Sequence, residues 1–198
     1  MFMSAHQHNP LRLIGAFAPS TSYLADAMTK IVEAPQVFNI LEVGAGTGAI
    51  TKTLAKKMRP SQRADVVEIF PALFSLLNKR FSSTPSMHIH CSDIMHFQPE
   101  RSYDLIISSL PFNAFMPELT QAVIDHLITL AKPGCYMSFF EYRILQGLMP
   151  WVMPAKKFAQ FQASRAIIER FIKRYKIDET SVYRNFPPAV VHHVRIDK

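Results

Sequence analysis

The chain is poor in cysteine, with two in 198 residues, Cys91 and Cys135. Two cannot build the disulfide framework of a small secreted domain. Both sit in strand-like apolar runs and read as reduced core residues of a cytosolic protein. Neither belongs to a Cys-x-x-Cys pair, and the paired histidines (His6 and His8, His88 and His90, His192 and His193) do not offer the three or four converging ligands zinc requires. No metal is therefore expected. Of His192 and His193, adjacent on one strand, only one can face a substrate pocket. No apolar run reaches the ~20 residues that span a bilayer, and the N-terminus lacks the charged-then-apolar order of a secretory signal. Acidic residues are few where basic ones collect: residues 143–198 hold eleven Lys or Arg against four Asp or Glu, which is the whole net charge of +7. That local excess suits a polyanionic partner, either nucleic acid or an anionic membrane face. There is no internal repeat and no low-complexity tract.

Glycine is scarce as well, yet three of the six lie within five residues, in Leu41-Glu42-Val43-Gly44-Ala45-Gly46-Thr47-Gly48. Val37, Phe38, Ile40 and Leu41 read as a buried parallel strand before the run. Ile50, Leu54 and the Lys56–Lys57 pair read as an amphipathic helix after it, with cations in the last turn. Glycines at a strand-to-helix turn let a cofactor approach the backbone. The pattern is Glu-x-Gly-x-Gly-x-Gly, unlike the G-x-G-x-x-G of dinucleotide sites. A carboxylate two residues before the first glycine would repel a pyrophosphate and suits a cofactor with a cationic amino-acid end. No Gly-Lys-Ser/Thr closes the run, which argues against a P-loop.

Length and a hydrophobic content of 48% fit one domain over residues 1–198. Strands are expected near 37–43, 63–68, 87–91, 103–109 and 133–141, with helices near 48–58, 71–81 and 116–131 between them. A helix near 156–174 and strands near 177–184 and 189–196 follow. Ser20 or Thr21 opens a first helix near 20–33. This alternation predicts an α/β fold with a mostly parallel seven-stranded sheet, helices on both faces and an antiparallel edge hairpin. Residues 1–34 are expected to form a lid and membrane-contact segment, and 35–198 the catalytic core. Phe2, Met3, Leu11, Leu13, Ile14 and Phe17 make the N-terminus apolar. Leu148-Met149-Pro150-Trp151-Val152-Met153-Pro154 sets the single tryptophan beside Lys156 and Lys157, a composition suited to a headgroup interface. Along 156–176, Phe158, Phe161, Ile168, Phe171, Ile172 and Tyr175 recur at helical spacing and are expected to pack on the sheet, leaving the cations outward.

The glycine run resembles motif I of the class I S-adenosylmethionine-dependent methyltransferases, and the other motifs appear in order. Glu68 ends a strand twenty residues after Gly48, Asp93 and Ile94 follow the next, and Ser109-Leu110-Pro111-Phe112 follows the fourth. The resemblance implies a Rossmann-like class I fold. It implies S-adenosylmethionine held by Glu42, Gly44, Gly46, Gly48, Glu68 on the ribose, Asp93 and Ile94 on the adenine, and Ser109 and Leu110, and released as S-adenosylhomocysteine.

A narrower resemblance rests on Gly15-Ala16-Phe17-Ala18-Pro19-Ser20, on Ser109–Phe112 and on Asn185-Phe186-Pro187-Pro188-Ala189. These segments are similar to the bacterial phospholipid N-methyltransferase family. That implies methylation of the amine of phosphatidylethanolamine and its methylated forms towards phosphatidylcholine, by a cytoplasmic monomer held peripherally on the inner face of the cytoplasmic membrane. The amine must be neutral to attack. A primary ammonium resembles lysine, with a pKa of about 10.4, so neutralising it at pH 7 costs on the order of 4–5 kcal/mol. Tyr142, Tyr23 and Ser109 are the catalytic candidates, and Pro111, Phe112 and Arg143 the substrate-binding ones, with Arg143 suited to the lipid phosphate. The rival is an RNA adenine N6-methyltransferase, of the group that carries Asn-Leu-Pro-Tyr after the fourth strand. Here Ser109 replaces the asparagine, Phe112 could still stack on a base, and no helical RNA-binding domain is expected after the last strands. No DNA partner is expected. Methylation of another small amine or aminolipid is a further alternative.

Overall fold

The computed structural model describes residues 21–143 and 154–197. The Gly15–Ser20 segment, the apolar N-terminus and Leu148–Met153 with Trp151 lie outside the described residues. Seven strands form one sheet: β1 (Asn39–Val43), β2 (Arg63–Glu68), β3 (Met87–Cys91), β4 (Tyr103–Ser108), β5 (Ala131–Tyr142), β6 (Lys176–Val182) and β7 (Ala189–Ile196). Their order across the sheet is β3-β2-β1-β4-β5-β7-β6. Strands β3 to β5 pair in parallel through β2, β1 and β4, while β7 runs antiparallel to both β5 and β6. The expected hairpin thus makes one edge, with β6 outermost.

The helices are α1 (Ser22–Met28), α2 (Ala49–Lys57), α3 (Pro71–Phe81), α4 (Pro117–Leu130) and α5 (Ala155–Tyr175). Prolines open α3 and α4 at their first turns, where a missing N–H costs nothing. Leu24 and Met28 of α1, Ile50 and Leu54 of α2 and Leu77 of α3 pack on one sheet face, against Ile40, Val66 and Leu105. Val123 and Leu127 of α4 and Ile168 and Phe171 of α5 pack on the other, against Leu41, Ile106 and Phe139. Alternate strand residues therefore feed two cores.

Three expectations need correction. Phe38, read as part of the buried first strand, precedes β1 and is 49% exposed. The first helix does not run through 20–33: it stops at Met28, and Lys30–Glu33 is a separate 3-10 turn. Thr29 marks the break, its hydroxyl donating to the Ala25 carbonyl at 2.7 Å, the side-chain bond with which threonine competes against helix continuation. Cys91, read as a core residue, is exposed at the end of β3, whereas Cys135 is buried on β5.

The late Asn-Phe-Pro-Pro-Ala turn has a structural task. Asn185 is buried, and its Oδ1 accepts from the Thr21 hydroxyl at 3.0 Å and the Thr21 N–H at 3.3 Å. Its amide donates to the Pro187 carbonyl at 2.8 Å. Thr21 in turn caps α1, accepting from the Leu24 N–H at 3.3 Å. The start of the first helix is thereby pinned to the β6–β7 turn, at the sheet end where the glycine run lies.

Candidate functional site

The site is built at the carboxyl ends of β1, β2 and β4, where open α/β sheets bind ligands. Gly44, Gly46 and Gly48 all have positive φ, at 73°, 57° and 85°. A Cβ on Gly44 would come within 3.2 Å of Leu110, and one on Gly48 within 2.7 Å of Leu77. Those two glycines permit close packing of protein on protein. A Cβ on Gly46 would meet nothing within 4 Å, so this position faces open space that a ligand can use. Ser109 and Leu110 thus lie directly against the glycine turn, and the Ser109 N–H donates to the Val43 carbonyl at 2.9 Å.

Glu42 is fully buried beneath the turn and takes the Thr51 hydroxyl on one oxygen at 3.0 Å. Its other oxygen, Oε2, is buried without a hydrogen-bond partner. Burial pushes its pKa up to about 8, against the pull of its hydrogen bonds to Thr51, and the nearby Glu68 charge adds to the rise. A buried carboxylate with one vacant oxygen is what a cofactor's ammonium group needs. Glu68, also buried, receives the Gly46 N–H at 2.8 Å and the Phe70 N–H at 3.0 Å, which sets it against the glycine turn. Asp93 caps a short 3-10 turn through the Met95 N–H at 3.0 Å, with Ile94 buried beside it. The Ser109 hydroxyl is buried without a partner. The donor set, the vacant oxygen and the open face at Gly46 fit S-adenosylmethionine.

Residues 40–134 match the family model described as a methyltransferase domain. This stretch is a methyltransferase domain, and its fold is that of the class I enzymes. The fold agrees across the whole chain: the N-methyltransferase NodS of Bradyrhizobium japonicum, solved with S-adenosyl-l-homocysteine, superposes with a TM-score of 0.65 at 17% identity, over 98% of this chain and 94% of that one. S-adenosylmethionine is the cofactor of this methyltransferase domain. The chain is similar to an ornithine lipid N-methyltransferase of Singulisphaera acidiphila, at 27% identity over 92% of this chain and 88% of that protein. It is also similar to malonyl-(acyl-carrier protein) O-methyltransferase 1 of Ilyobacter polytropus, at 26% identity over 86% of this chain. The match spans 66% of that relative's own length.

On the acceptor side, the candidates scatter. Pro111 is exposed and makes a tight turn in which the Phe112 N–H reaches the Leu110 carbonyl at 2.9 Å. The turn sends Phe112 inward: it is buried, edge-on to Phe139 and Phe115 with ring centroids 5.9 and 6.3 Å apart. Tyr142 is half-buried on the α1 side of the sheet, edge-on to Phe140, and burial raises its pKa, so its hydroxyl stays protonated. Tyr23 is exposed on α1 and accepts from Arg184 at 2.8 Å. The Arg143 guanidinium reaches across to β6, donating to Ser181 at 3.1 Å and to Tyr183 at 3.4 Å.

Two residues outside the sequence-derived set, Asn113 and Glu141, come together beside this loop with His192, one of the two histidines read as able to face a pocket. Asn113 donates through Nδ2 to Glu141 Oε1 at 2.9 Å. Glu141 Oε2 lies 3.2 Å from His192 Nε2. Burial pushes the Glu141 pKa up, but the hydrogen bonds from His192 and Asn113, with the charges of His192 and Arg165, hold it below the usual carboxylate value. His193 faces the opposite side, with its Nδ1 2.9 Å from the Ser138 hydroxyl. The sequence did carry a signal: Glu141 shares the strand parity of Phe139, so a charge falls on a face that is otherwise core. Among the described residues no cluster of three potential metal ligands occurs.

Proposed function

We propose that this methyltransferase transfers methyl groups to the headgroup amine of a membrane aminolipid, with phosphatidylethanolamine and its methylated forms as acceptors towards phosphatidylcholine. The similarity to an ornithine lipid N-methyltransferase carries the reading, because it extends over nearly the full length of both chains. The rim of the site supports it. Phe186 is 85% exposed and Tyr183 70%, and both lie in the turn region joining β6 to β7. Arg143 and Arg184 sit over the Tyr183 and Tyr23 rings at 5.8 and 5.1 Å. Antiparallel pairing of Tyr142 with Ala189 places this turn at the carboxyl end of β5, level with the glycine run. Aromatics with cations suit the headgroup layer of an anionic membrane. Among the described residues no helix is long and apolar enough to cross a membrane, so access to lipid would be from the surface, here the inner face of the cytoplasmic membrane.

When bound, S-adenosylmethionine supplies a methyl group on a sulfonium sulfur. The chain's part is then alignment and desolvation of the amine. Glu42 would hold the cofactor's ammonium, Glu68 the ribose, and Asp93 with Ile94 the adenine. In this reading Ser109 lines the reaction centre, and Tyr142 and Tyr23 offer aromatic faces to an amine that becomes cationic with each methyl. Pro111 and Phe112 would shape the floor, and Arg143 would meet the lipid phosphate. The test is label transfer from S-adenosylmethionine to anionic vesicles containing phosphatidylethanolamine, to vesicles containing ornithine lipid, and to unmodified ribosomal RNA. Label in phosphatidylethanolamine supports the proposal. Label only in ornithine lipid replaces the acceptor, and label only in RNA overturns the lipid reading.

A further inference from the structure

We propose that Glu141, held between Asn113 and His192, is the carboxylate that receives the substrate's ammonium group and takes its proton. The inference rests on the amine-methylating function proposed above and names the group on which that chemistry turns.

The line of contacts starts at the cofactor turn. Gly44 abuts Ser109 and Leu110, and the loop they begin delivers Asn113 to Glu141. On the next strand His192 is 92% buried, with an exposure of 8%, and its Nε2 meets the second Glu141 oxygen. The network is only half satisfied. Asn113 Oδ1 and His192 Nδ1 are buried without hydrogen-bond partners, and so is the Ser109 hydroxyl at the start of the loop that carries Asn113. Glu179 lies 4.0 Å from His192 Nδ1, beyond bonding distance. A purely structural ion pair would be expected to close such a network, because open buried polar atoms cost stability. Of the open atoms, Asn113 Oδ1 is an acceptor and the Ser109 hydroxyl can be one, while His192 Nδ1 accepts only when the imidazole is neutral. Asn113 presents its carbonyl oxygen because its amide is committed to the carboxylate, and Glu141 supplies the negative charge. An ammonium has N–H donors for such a set. The Phe139 ring stands 5.4 Å from the His192 ring and Phe112 packs on it, so the surroundings also suit a methylated ammonium. The remaining charges facing the pair are Arg165 from α5, already paired with Glu169 at 2.8 Å, and Glu179 from β6.

In the step, an N–H proton leaves the ammonium by way of Glu141 to water, Glu141 relaying the proton and not keeping it, because Asn113 and His192 hold the carboxylate ionised. The lone pair left on nitrogen forms the new N–CH3 bond, and the electron pair of the breaking C–S bond stays on sulfur. Each methyl added requires one such proton to leave.

The experiment compares the wild type with Glu141→Gln and His192→Gln, in three readouts. These are binding of ethanolamine to the protein saturated with S-adenosylhomocysteine, followed by NMR; S-adenosylhomocysteine affinity; and the methylation rate on lipid vesicles from pH 6 to 9.5. Glu141→Gln is expected to abolish ethanolamine binding while leaving S-adenosylhomocysteine affinity within about 2-fold. It should slow methylation by roughly 10²–10⁴-fold at pH 7, the usual contribution of a positioned proton acceptor. The defect should shrink as pH approaches the amine's own pKa, which a merely structural loss would not do. His192→Gln should shift the pH profile with a smaller loss of rate, and it carries the test if Glu141→Gln does not fold. A folded Glu141→Gln protein with wild-type rate and profile overturns the inference and spares the lipid reading; so does an unshifted profile in His192→Gln when it alone folds. A wild type inactive on every lipid overturns that reading, and ethanolamine binding that is equal in wild type and Glu141→Gln then overturns the role of Glu141.

Discussion

Glu42 shows how much a single buried group can couple. Its pKa of about 8 in the fold, against 4.5 unperturbed, means that folding takes up a proton between those values. Stability from this group is fully present below pH 4.5 and is lost as pH rises through 8, at up to ~1.4 kcal/mol per pH unit. Glu42→Gln removes the ionisation but keeps an acceptor for Thr51. In the cofactor-free protein it should melt above the wild type at pH 8, with the gap closing by pH 5. The same change should weaken S-adenosylmethionine binding by about 10–100-fold, the worth of a charged hydrogen bond. Calorimetry on the wild type should show affinity rising between pH 6 and 7.5, with proton release on binding. The glycines divide in the same way. Gly48→Ala forces a methyl 2.7 Å from Leu77 and should cost stability. Gly46→Ala meets no protein atom within 4 Å, so stability should fall by only about 1–2 kcal/mol for the left-handed backbone, while cofactor binding is lost.

At the scale of elements, the β6–β7 turn and α1 behave as one unit through Asn185 and Thr21. Asn185→Ala removes both bonds to Thr21 and leaves the α1 cap without its anchor. It should destabilise the protein by about 1–2 kcal/mol and speed amide exchange in residues 21–28 ahead of the sheet. The boundaries most legible in the sequence were of the same local kind. Strands 63–68 and 87–91 and the helix 71–81 coincide with β2, β3 and α3, because apolar runs, a first-turn proline and short spacing act within a few residues. The break at Thr29 was not legible, since a hydroxyl bonding back to Ala25 looks no different in sequence from one that does not.

For the molecule as a whole, the basic C-terminal third resolves into a two-sided helix. Phe161, Ile168 and Phe171 of α5 are buried, while Lys156, Lys157, Arg170, Lys173 and Arg174 are exposed. On the proposed membrane reading, cosedimentation with anionic vesicles should weaken steeply with salt. Charge reversal at Arg170 and Lys173 together should lower it by about 10-fold or more, at ~1 kcal/mol per basic residue. Phe186→Ser should lower it too without changing the salt slope. S-adenosylhomocysteine affinity should be unmoved in both variants, and vesicle binding indifferent to either change would remove the membrane from the proposal.

The residues proposed to hold the cofactor could be named from the sequence. Glu42, the three glycines, Glu68 and Asp93 with Ile94 each stand at a strand end, and strand order follows from alternation, so chain position alone puts them at one edge. The acceptor half was decided by tertiary structure. Phe112 turned inward because the Pro111 turn reversed it onto Phe139, and Arg143 reached β6 because β7 brings that strand alongside. Asn113, Glu141 and His192 come from three separate elements and meet only where β5 pairs with β7. Side chains brought together by pairing across 28 and 51 residues share no local spacing to read, and strand parity marked Glu141 without naming its partners. The glycine run has such a spacing, because its chemistry is carried by consecutive backbone.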